Sequence, residues 1–172
     1  MSLIISGGSN GSLNNLTLSG NTATIVDTGR AGGIIQVVQS TYSTTTSNTT
    51  STQADTGLSA TITPTSSSNK ILIFASQNGL SKTSLYGMDL RVYRGTTVIM
   101  DSILQNAGYD TTSNRNDFGS ATGIFLDSPA TTSATTYKTQ FSLFTGTGSV
   151  TVQQGTSIST MTLMEVVAWL IN

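Results

Sequence analysis

Short runs of alternating apolar and polar residues recur along most of the chain, and Gly, Pro, Asn and Asp separate them. Leu58, Ala60 and Ile62 stand at every second position, which places all three on one face of a strand. Residues 70–76 are apolar at adjacent positions as well, so both faces of this segment are apolar, as expected of a central strand. Short strands between regularly spaced turn signals predict an all-β domain over 34–172, built as a sandwich or a barrel.

A tight hairpin is predicted across 88–104, where two strand-like runs flank Gly95. Glycine at the first position of a two-residue loop supplies the positive φ that such a turn requires. The register that follows from this loop places Leu90 opposite Asp101, so that an apolar side chain faces a charged one. Asp89 and Asp101, one on each arm of the hairpin, are expected to be solvated rather than paired for acid-base chemistry.

The last segment, 159–171, alternates in a way that leaves both of its faces apolar. One face carries Met164, Val166, Ala168 and Leu170, and the other carries Met161, Leu163, Val167, Trp169 and Ile171. A strand of a two-layer sandwich needs only one face for the core, so a further layer or another subunit must cover the other face. We expect a subunit interface formed by Met161, Leu163, Val167, Trp169 and Ile171. A C-terminal helix is the competing interpretation, although the β-branched residues favour a strand.

The first 33 residues differ from the rest because short apolar pieces alternate with Gly and Asn. Such pieces cannot build a core alone, so we expect an extended arm that becomes ordered by packing against a partner, with Gly32 and Gly33 as its joint. A frayed tail is the alternative. The residues expected to attach the arm to its partner are Leu3, Ile4, Ile5, Leu16, Leu18, Ile25 and Val26.

The composition removes several classes of function. The chain has 25 Ser and 32 Thr, its charged residues make up only 9% of the total, and its net charge is −1. We expect neither nucleic acid nor membrane as a partner, since the cations are too few for phosphate contacts and no apolar run could span a bilayer. Without His or Cys, the chain cannot form disulfides, Cys or His metal sites, or Ser-His and Cys-His nucleophiles. We therefore expect no enzyme activity and no cofactor.

The densest group of oxygen ligands lies in the loop 106–117, where Asp110, Asn114, Asn116 and Asp117 fall close together. Carboxylate and amide oxygens bind Ca²⁺, but their order does not match the EF-hand loop. Asp, Asn and Gly are also favoured in ordinary polar connections, which explains the same residues. The four residues form a candidate ligand loop, for which we expect no bound metal.

Three phrases of the sequence resemble a group of tailed-bacteriophage virion proteins, especially those of marine and cyanobacterial phages. They are GLSATITPTSSSNKILI at 57–73, LDSPATTSATTYK at 126–138 and ISTMTLMEV at 158–166. The resemblance covers roughly residues 33–172. It implies an antiparallel β-sandwich of jelly-roll type, commonly a homotrimer, displayed on the particle exterior as a capsid decoration, a head fibre or a tail-fibre tip. It carries over no catalytic residues.

The expected function is that of a capsid decoration (cement) or head-fibre protein, made in the host cytoplasm and located on the virion exterior. Its arm, 1–33, would bind the major capsid protein or another virion protein, and the domain 34–172 would form the trimer. The alternative is a tail-fibre or tail-tip protein whose loops, 106–117 and 128–136, contact a host surface glycan or protein. Only about 33 residues precede the domain, which leaves no room for a fibre shaft and favours the decoration protein.

Overall fold

The computed structural model describes residues 32–83, 87–107 and 119–168, and in 102–107 it describes the backbone alone. The described elements are ten strands and one short 3-10 turn, Gln154–Thr156. The strands are β1 (Ile34–Tyr42), β2 (Thr46–Asn48), β3 (Ala54–Ile62), β4 (Lys70–Lys82), β5 (Met88–Arg94), β6 (Thr97–Ala107), β7 (Gly119–Asp127), β8 (Thr135–Leu143), β9 (Val150–Val152) and β10 (Ser159–Val166).

The strands form two antiparallel sheets that pack face to face. The larger sheet has the order β1-β10-β4-β7, and the short strands β9 and β2 extend it from one end of β4. The smaller sheet has the order β3-β8-β5-β6. The long strands pair as in one hairpin folded over on itself, β1 with β10, β3 with β8, β4 with β7 and β5 with β6. This nested pairing is the jelly-roll arrangement, and it confirms the antiparallel β-sandwich.

The alternation of the sequence is confirmed in the strands. Leu58, Ala60 and Ile62 all point into the core, with at most 6% of their surface exposed. Strand β4 lies between β10 and β7, which confirms the central position predicted for residues 70–76. The C-terminal segment forms strand β10 rather than a helix, and it pairs with β1 on one side and β4 on the other.

The hairpin of β5 and β6 has the predicted turn but a different register. Gly95 has a φ of +57°, the positive value expected at this position. The pairing then shifts along β5, so that Leu90 lies opposite Leu104 instead of Asp101. The predicted register was therefore wrong beyond the pairs next to the turn. The irregularity removes the apolar-charged pair that a strictly regular hairpin would have kept.

The core between the two sheets consists of two apolar clusters. The first contains Leu58, Ala60, Ile62, Ile71, Ile73, Ala75, Val92, Tyr137, Met161 and Leu163. The second contains Leu80, Met88, Leu90, Ala121, Phe141, Leu143, Val150 and Val152. Burial stabilises the fold by roughly 1.5–3 kcal/mol for each large apolar side chain, so both sheets are held together mainly by these contacts.

A belt of buried hydroxyl and amide groups lies between the two clusters. Thr56 Oγ1 and Thr139 Oγ1 of the smaller sheet are 2.6 Å apart, and Thr139 donates to Gln77 Oε1 of the larger sheet at 2.9 Å. Gln77 Nε2 donates in turn to Ser159 Oγ at 3.0 Å. All four residues are fully buried. These groups satisfy one another's hydrogen-bonding capacity inside the core. The belt therefore joins the two sheets with directional hydrogen bonds, which the apolar clusters cannot form.

Gly57 allows β3 to bend beneath an aromatic ring. Its φ is +89°, and the ring of Tyr42 lies where a β-carbon on Gly57 would stand. The pairing of β3 with β8 is interrupted at the same place, between Asp55 and Ser59. Glycine alone combines this backbone angle with the absence of a side chain.

Replacing Gly57 with alanine is expected to destabilise the protein by about 2–4 kcal/mol, because the added methyl group meets the Tyr42 ring while φ stays positive. Urea unfolding followed by circular dichroism measures the loss. Gly119→Ala is the matched control, since no heavy atom lies within 4 Å of a β-carbon built at that position. Equal stability of the two variants would contradict the role assigned to Gly57.

Candidate functional site

The outer face of the larger sheet differs from every other described surface of the protein. Directly opposite residues of antiparallel strands point to the same side, so the register of the sheet defines its rows. Two neighbouring rows cross β1, β10, β4 and β7 in that order. The first row consists of Val37, Met164, Leu72 and Leu126. The second row consists of Gln39, Thr162, Phe74 and Ile124. We call their six apolar members the outer apolar face.

The outer apolar face is open to solvent in the single chain. Val37 and Ile124 keep 58% and 57% of their surface exposed, and Leu126 keeps 46%. The next row is polar but also uncharged, and it consists of Thr41, Thr160, Ser76 and Thr122. An apolar patch that crosses a whole sheet and has no charged residue within it is typical of an interaction surface.

The outer face of the smaller sheet has the opposite character. Its charged residues are Asp55, Asp89, Arg91, Asp101 and Lys138, in a chain with only 7 basic and 8 acidic residues. Lys138 Nζ lies 2.8 Å from Asp55 Oδ1, and Arg91 lies 2.8 Å from Asp89 and 2.9 Å from Asp101. Burial raises the pKa of Asp55, but hydrogen bonds led by that from Lys138 outweigh it, and the net shift is downward. One side of the sandwich is therefore suited to water and the other to a partner.

Asp89 is not the solvated residue that the sequence indicated. Only 4% of it is exposed, and its Oδ2 accepts hydrogen bonds from Gln53 Nε2 at 2.8 Å and Arg91 Nε at 2.9 Å. The prediction was wrong because β5 lies inside its sheet, between β8 and β6. Asp101 is solvated as predicted, with 68% of its side chain exposed. The arrangement gives Asp89 a structural role, since its carboxylate is already held by a cation.

Glu165, the only glutamate of the chain, points inward beneath one end of the outer apolar face. Its Oε1 accepts hydrogen bonds from the backbone N of Thr65 at 2.7 Å, from Thr65 Oγ1 at 2.8 Å and from Asn69 Nδ2 at 2.7 Å. Gln36, with its amide nitrogen turned inward, donates to Oε2 at 3.2 Å. Burial raises the pKa of Glu165, but the bonds from Asn69 and Thr65 outweigh it and lower the pKa overall. The carboxylate thereby ties β1 and β10 to the turn before β4.

Asp127 is a second buried carboxylate at the same end of the sandwich. Arg94 Nη1 reaches its two oxygens at 2.9 and 2.7 Å, and Tyr137 Oη donates to Oδ2 at 2.8 Å. Burial, together with the neighbouring carboxylate, raises the pKa of the Tyr137 hydroxyl, which therefore stays protonated and available as a donor. Because Arg94 belongs to the smaller sheet and Asp127 to the larger one, the cluster joins the two sheets where β7 ends.

The predicted subunit interface was placed on the wrong face of β10. Met161 and Leu163 are fully buried in the first apolar cluster, so they have no surface left to contribute to a subunit contact. The outward positions of β10 belong to Met164 and Val166 and the two threonines before them. Alternation could not distinguish the two faces because both are apolar.

The joint predicted at Gly32 and Gly33 is part of the larger sheet. Gly32 N donates to Val167 O, and Val167 N donates to Gly33 O, each at 2.9 Å. Val167, a predicted interface residue, is half-buried and continues the pairing of β10 with β1. The described part of the chain therefore begins at the β1 edge of the larger sheet.

The other predicted site residues lie outside the described residues. They are Trp169 and Ile171 of the interface, Leu3, Ile4, Ile5, Leu16, Leu18, Ile25 and Val26 of the arm, and Asp110, Asn114, Asn116 and Asp117 of the candidate ligand loop. No sequence pattern marked as site residues the five members of the outer apolar face Val37, Leu72, Phe74, Ile124 and Leu126. The signal for Leu72 and Phe74 was present, since 70–76 is apolar on both faces.

Acidic side chains are scattered over the described part of the protein. Within 32–83, 87–107 and 119–168, no three His, Cys, Asp or Glu residues form a group that could hold a metal ion. The same ranges contain no helix that is long and apolar enough to cross a membrane.

No protein-family model and no curated protein matches the chain. Among solved structures, it is similar to the crystal structure of the infectious bursal disease virus VP2 subviral particle. The TM-score is 0.38 at 16% sequence identity, and the match covers 86% of this chain and 42% of that chain. This chain thus spans less than half the length of the VP2 chain.

The buried carboxylate of Glu165 predicts a specific loss of stability in acid. Its pKa in the folded protein lies below the ordinary value of about 4.3, so its contribution is fully present above that value and is lost as the pH falls through the lowered pKa. We expect the free energy of unfolding in urea to decrease between about pH 5 and pH 2. Glu165→Gln should destabilise the protein by about 1–3 kcal/mol at pH 7 and should flatten this pH dependence.

Asp101→Asn is the control for Glu165→Gln, because it removes a carboxylate that is largely exposed. We expect a change of about 1 kcal/mol or less for this variant and the same acid profile as the unmodified protein. An acid profile that Glu165→Gln leaves unchanged would show that the buried carboxylate does not control stability in acid.

Proposed function

We propose that the protein is a structural component of a virus particle, a capsid decoration (cement) or head-fibre protein of a tailed bacteriophage. The observation that carries the proposal is a jelly-roll sandwich with one charged outer face and one outer face whose three central rows are uncharged and partly apolar, with Lys70 only at its end. Jelly rolls recur in viral capsid domains. The sequence resemblance to tailed-phage virion proteins, at 57–73, 126–138 and 158–166, supports the same assignment.

In the proposed arrangement, the arm 1–33 attaches the protein to the major capsid protein or to another virion protein. Its apolar pieces add strands to a sheet edge or fill grooves of that partner. Burial of these pieces stabilises the shell, at about 25 cal/mol for each Å² of apolar surface removed from water. The sandwich remains on the virion exterior and associates as a homotrimer.

The sparse charge of the chain also suits an exposed position on a particle. With only 7 Lys and Arg residues in total, the chain offers few cleavage sites to trypsin-like proteases. At least two of the cations are further protected by ion pairs, since Arg94 holds Asp127 and Arg91 holds Asp89. A protein whose task is to hold and display benefits from such resistance.

A tail-tip protein that binds a host receptor is the second candidate, and the connection between β7 and β8 favours it. Arg94 Nη1 contacts both Asp127 and the backbone oxygen of Ser128, at 3.3 Å for the latter, so the start of this loop is fixed. Residues 132–134 are exposed, and two of them, Thr132 and Ser133, are polar. A rigidly held, exposed loop is suited to contacting a host glycan or protein.

Deleting residues 1–30 is expected to abolish attachment to the particle and to leave the sandwich folded and associated. Purified full-length and truncated proteins are mixed with particles, and co-sedimentation measures the bound fraction. The full-length protein should co-sediment and the truncated protein should not. Equal decoration of particles by the truncated protein would contradict attachment through the arm.

Two further measurements separate the proposed function from the second candidate. An antibody label on intact particles should mark the shell if the protein decorates the capsid, and the tail tip if it binds a receptor. Purified protein should bind capsids and ignore host cells in the first case, whereas saturable binding to host cells would favour the second. A label found on neither position would overturn both.

A further inference from the structure

We infer that copies of this chain associate through the outer apolar face, with the rows that begin at Val37 and Gln39 turned toward each other. The inference deepens the proposed function, because it names the surface of the expected self-association and rests on that association. The sequence had indicated an interface that includes Met161 and Leu163, but these residues face the core. The interface inferred now lies on the opposite, outer face of the same sheet.

The charge distribution indicates what kind of surface can cover this face. The three central rows contain no charged residue, so a charged partner would lose its hydration there without gaining an opposite charge. The covering surface must therefore be uncharged and partly apolar itself. The same face of a second copy meets this requirement, and the outer face of the smaller sheet does not, because it carries Asp55, Arg91 and Lys138.

The dimensions of the face are adequate for a stable contact. The three central rows, about 6.6 Å apart along four strands that are spaced about 4.8 Å apart, cover roughly 380 Å² in projection, of which the two apolar rows make up about 250 Å². This footprint is in the range of apolar patches that mark interaction sites, and side-chain relief adds to it. It is of the same order as the roughly 800 Å² that each partner contributes to a standard interface.

The same dimensions allow three copies to close around an axis. The edge strands of neighbouring copies must stay at least about 4.8 Å apart, so three such sheets enclose a triangular prism about 24 Å on a side, whose centre lies about 7 Å from each sheet. Sheets that pack face to face are about 10 Å apart, so each side-chain layer normally fills about 5 Å. The centre of the prism therefore has to be filled by long side chains of the two central strands, and Met164 and Leu72 lie nearest the axis.

The inference is tested first by the mass of the protein in solution. Light scattering should give three times the 17.9 kDa of one chain, and the variant Val37→Lys with Ile124→Lys should give the mass of a single chain. Both residues are more than half exposed in the single chain, so the variant should keep the circular dichroism of the parent. Thr61→Lys with Thr96→Lys adds the same charge at two exposed positions, one on β3 of the smaller sheet and one in the turn between β5 and β6, and should leave the mass unchanged.

A cysteine cross-link tests the geometry directly, because the chain has no cysteine of its own. Thr162→Cys places one thiol near the middle of the face, and mild oxidation should join chains in pairs. In a three-fold assembly each disulfide leaves one chain unpaired, so about two thirds of the chains at most should become linked. Thr61→Cys, on the smaller sheet, should remain unlinked.

The outcomes distinguish this inference from the proposed function. A single-chain mass for the unmodified protein would overturn the self-association as a whole, whether or not the protein decorates particles. Association that survives Val37→Lys with Ile124→Lys would overturn the choice of face and leave the proposed function standing. Association that appears only after residues 1–31 are deleted would show that this segment covers the face, which also overturns the inference. Complete conversion of Thr162→Cys into linked pairs would replace the three-fold arrangement by a two-fold one.

Discussion

The register of the larger sheet depends on the buried bonds that Gln77 makes with Thr139 and Ser159. Side chains alternate along a strand, so a slip of β4 by one residue would turn Gln77 outward and bring Phe74 into the core. Such a slip would leave the hydroxyls of Thr139 and Ser159 in the core without Gln77 as their partner. Each buried group left unsatisfied would lower the free energy of unfolding by about 1–3 kcal/mol. The apolar residues of β4 alone would accept either register, since they occupy both faces. The hydrogen bonds among these buried polar side chains therefore determine which face of β4 points into the core.

That choice also determines what the protein presents to its surroundings. Hydrophobic burial does not distinguish the two faces of β4 and β10, because both faces of both strands carry apolar residues. Once Gln77 and Ser159 are held inside, Leu72, Phe74 and Met164 must point outward. The outer apolar face thus follows from the polar belt, and a substitution that weakened the belt would also disturb the surface through which we propose that copies associate.

The strands could be predicted from the sequence because their period of two is visible in residues such as Leu58, Ala60 and Ile62. The inward face of β10 could not, and Glu165 explains why. A glutamate ordinarily marks the solvent side of a strand, yet Glu165 shares the buried face with Met161 and Leu163. Its bonds come from Thr65 and Asn69, about a hundred residues earlier in the chain, and no local pattern shows such partners.

The hairpin shows the same limit at shorter range. The positive φ of Gly95 could be predicted because the loop chemistry is local. The later shift that pairs Leu90 with Leu104 depends on which side of β5 faces the other sheet, and that is decided by packing. Residues of the outer apolar face were missed for a related reason, since Val37 and Ile124 become neighbours of one surface only when β10 and β4 lie between them.

Four of the 32 threonines form hydroxyl pairs that join neighbouring strands without a charge. Thr61 and Thr136 are 2.8 Å apart on an exposed surface, and Thr56 and Thr139 are 2.6 Å apart in the core. A hydroxyl both donates and accepts, so the same pair works in water and in the interior without the desolvation of a charge. On the outer side of the larger sheet, an uncharged bond from Gln39 Nε2 to Thr162 Oγ1 at 3.1 Å joins β1 and β10 in the same way. The threonine row beside the outer apolar face keeps that end of the sheet hydrated, while the apolar rows are left free of ions that a contact would have to dehydrate.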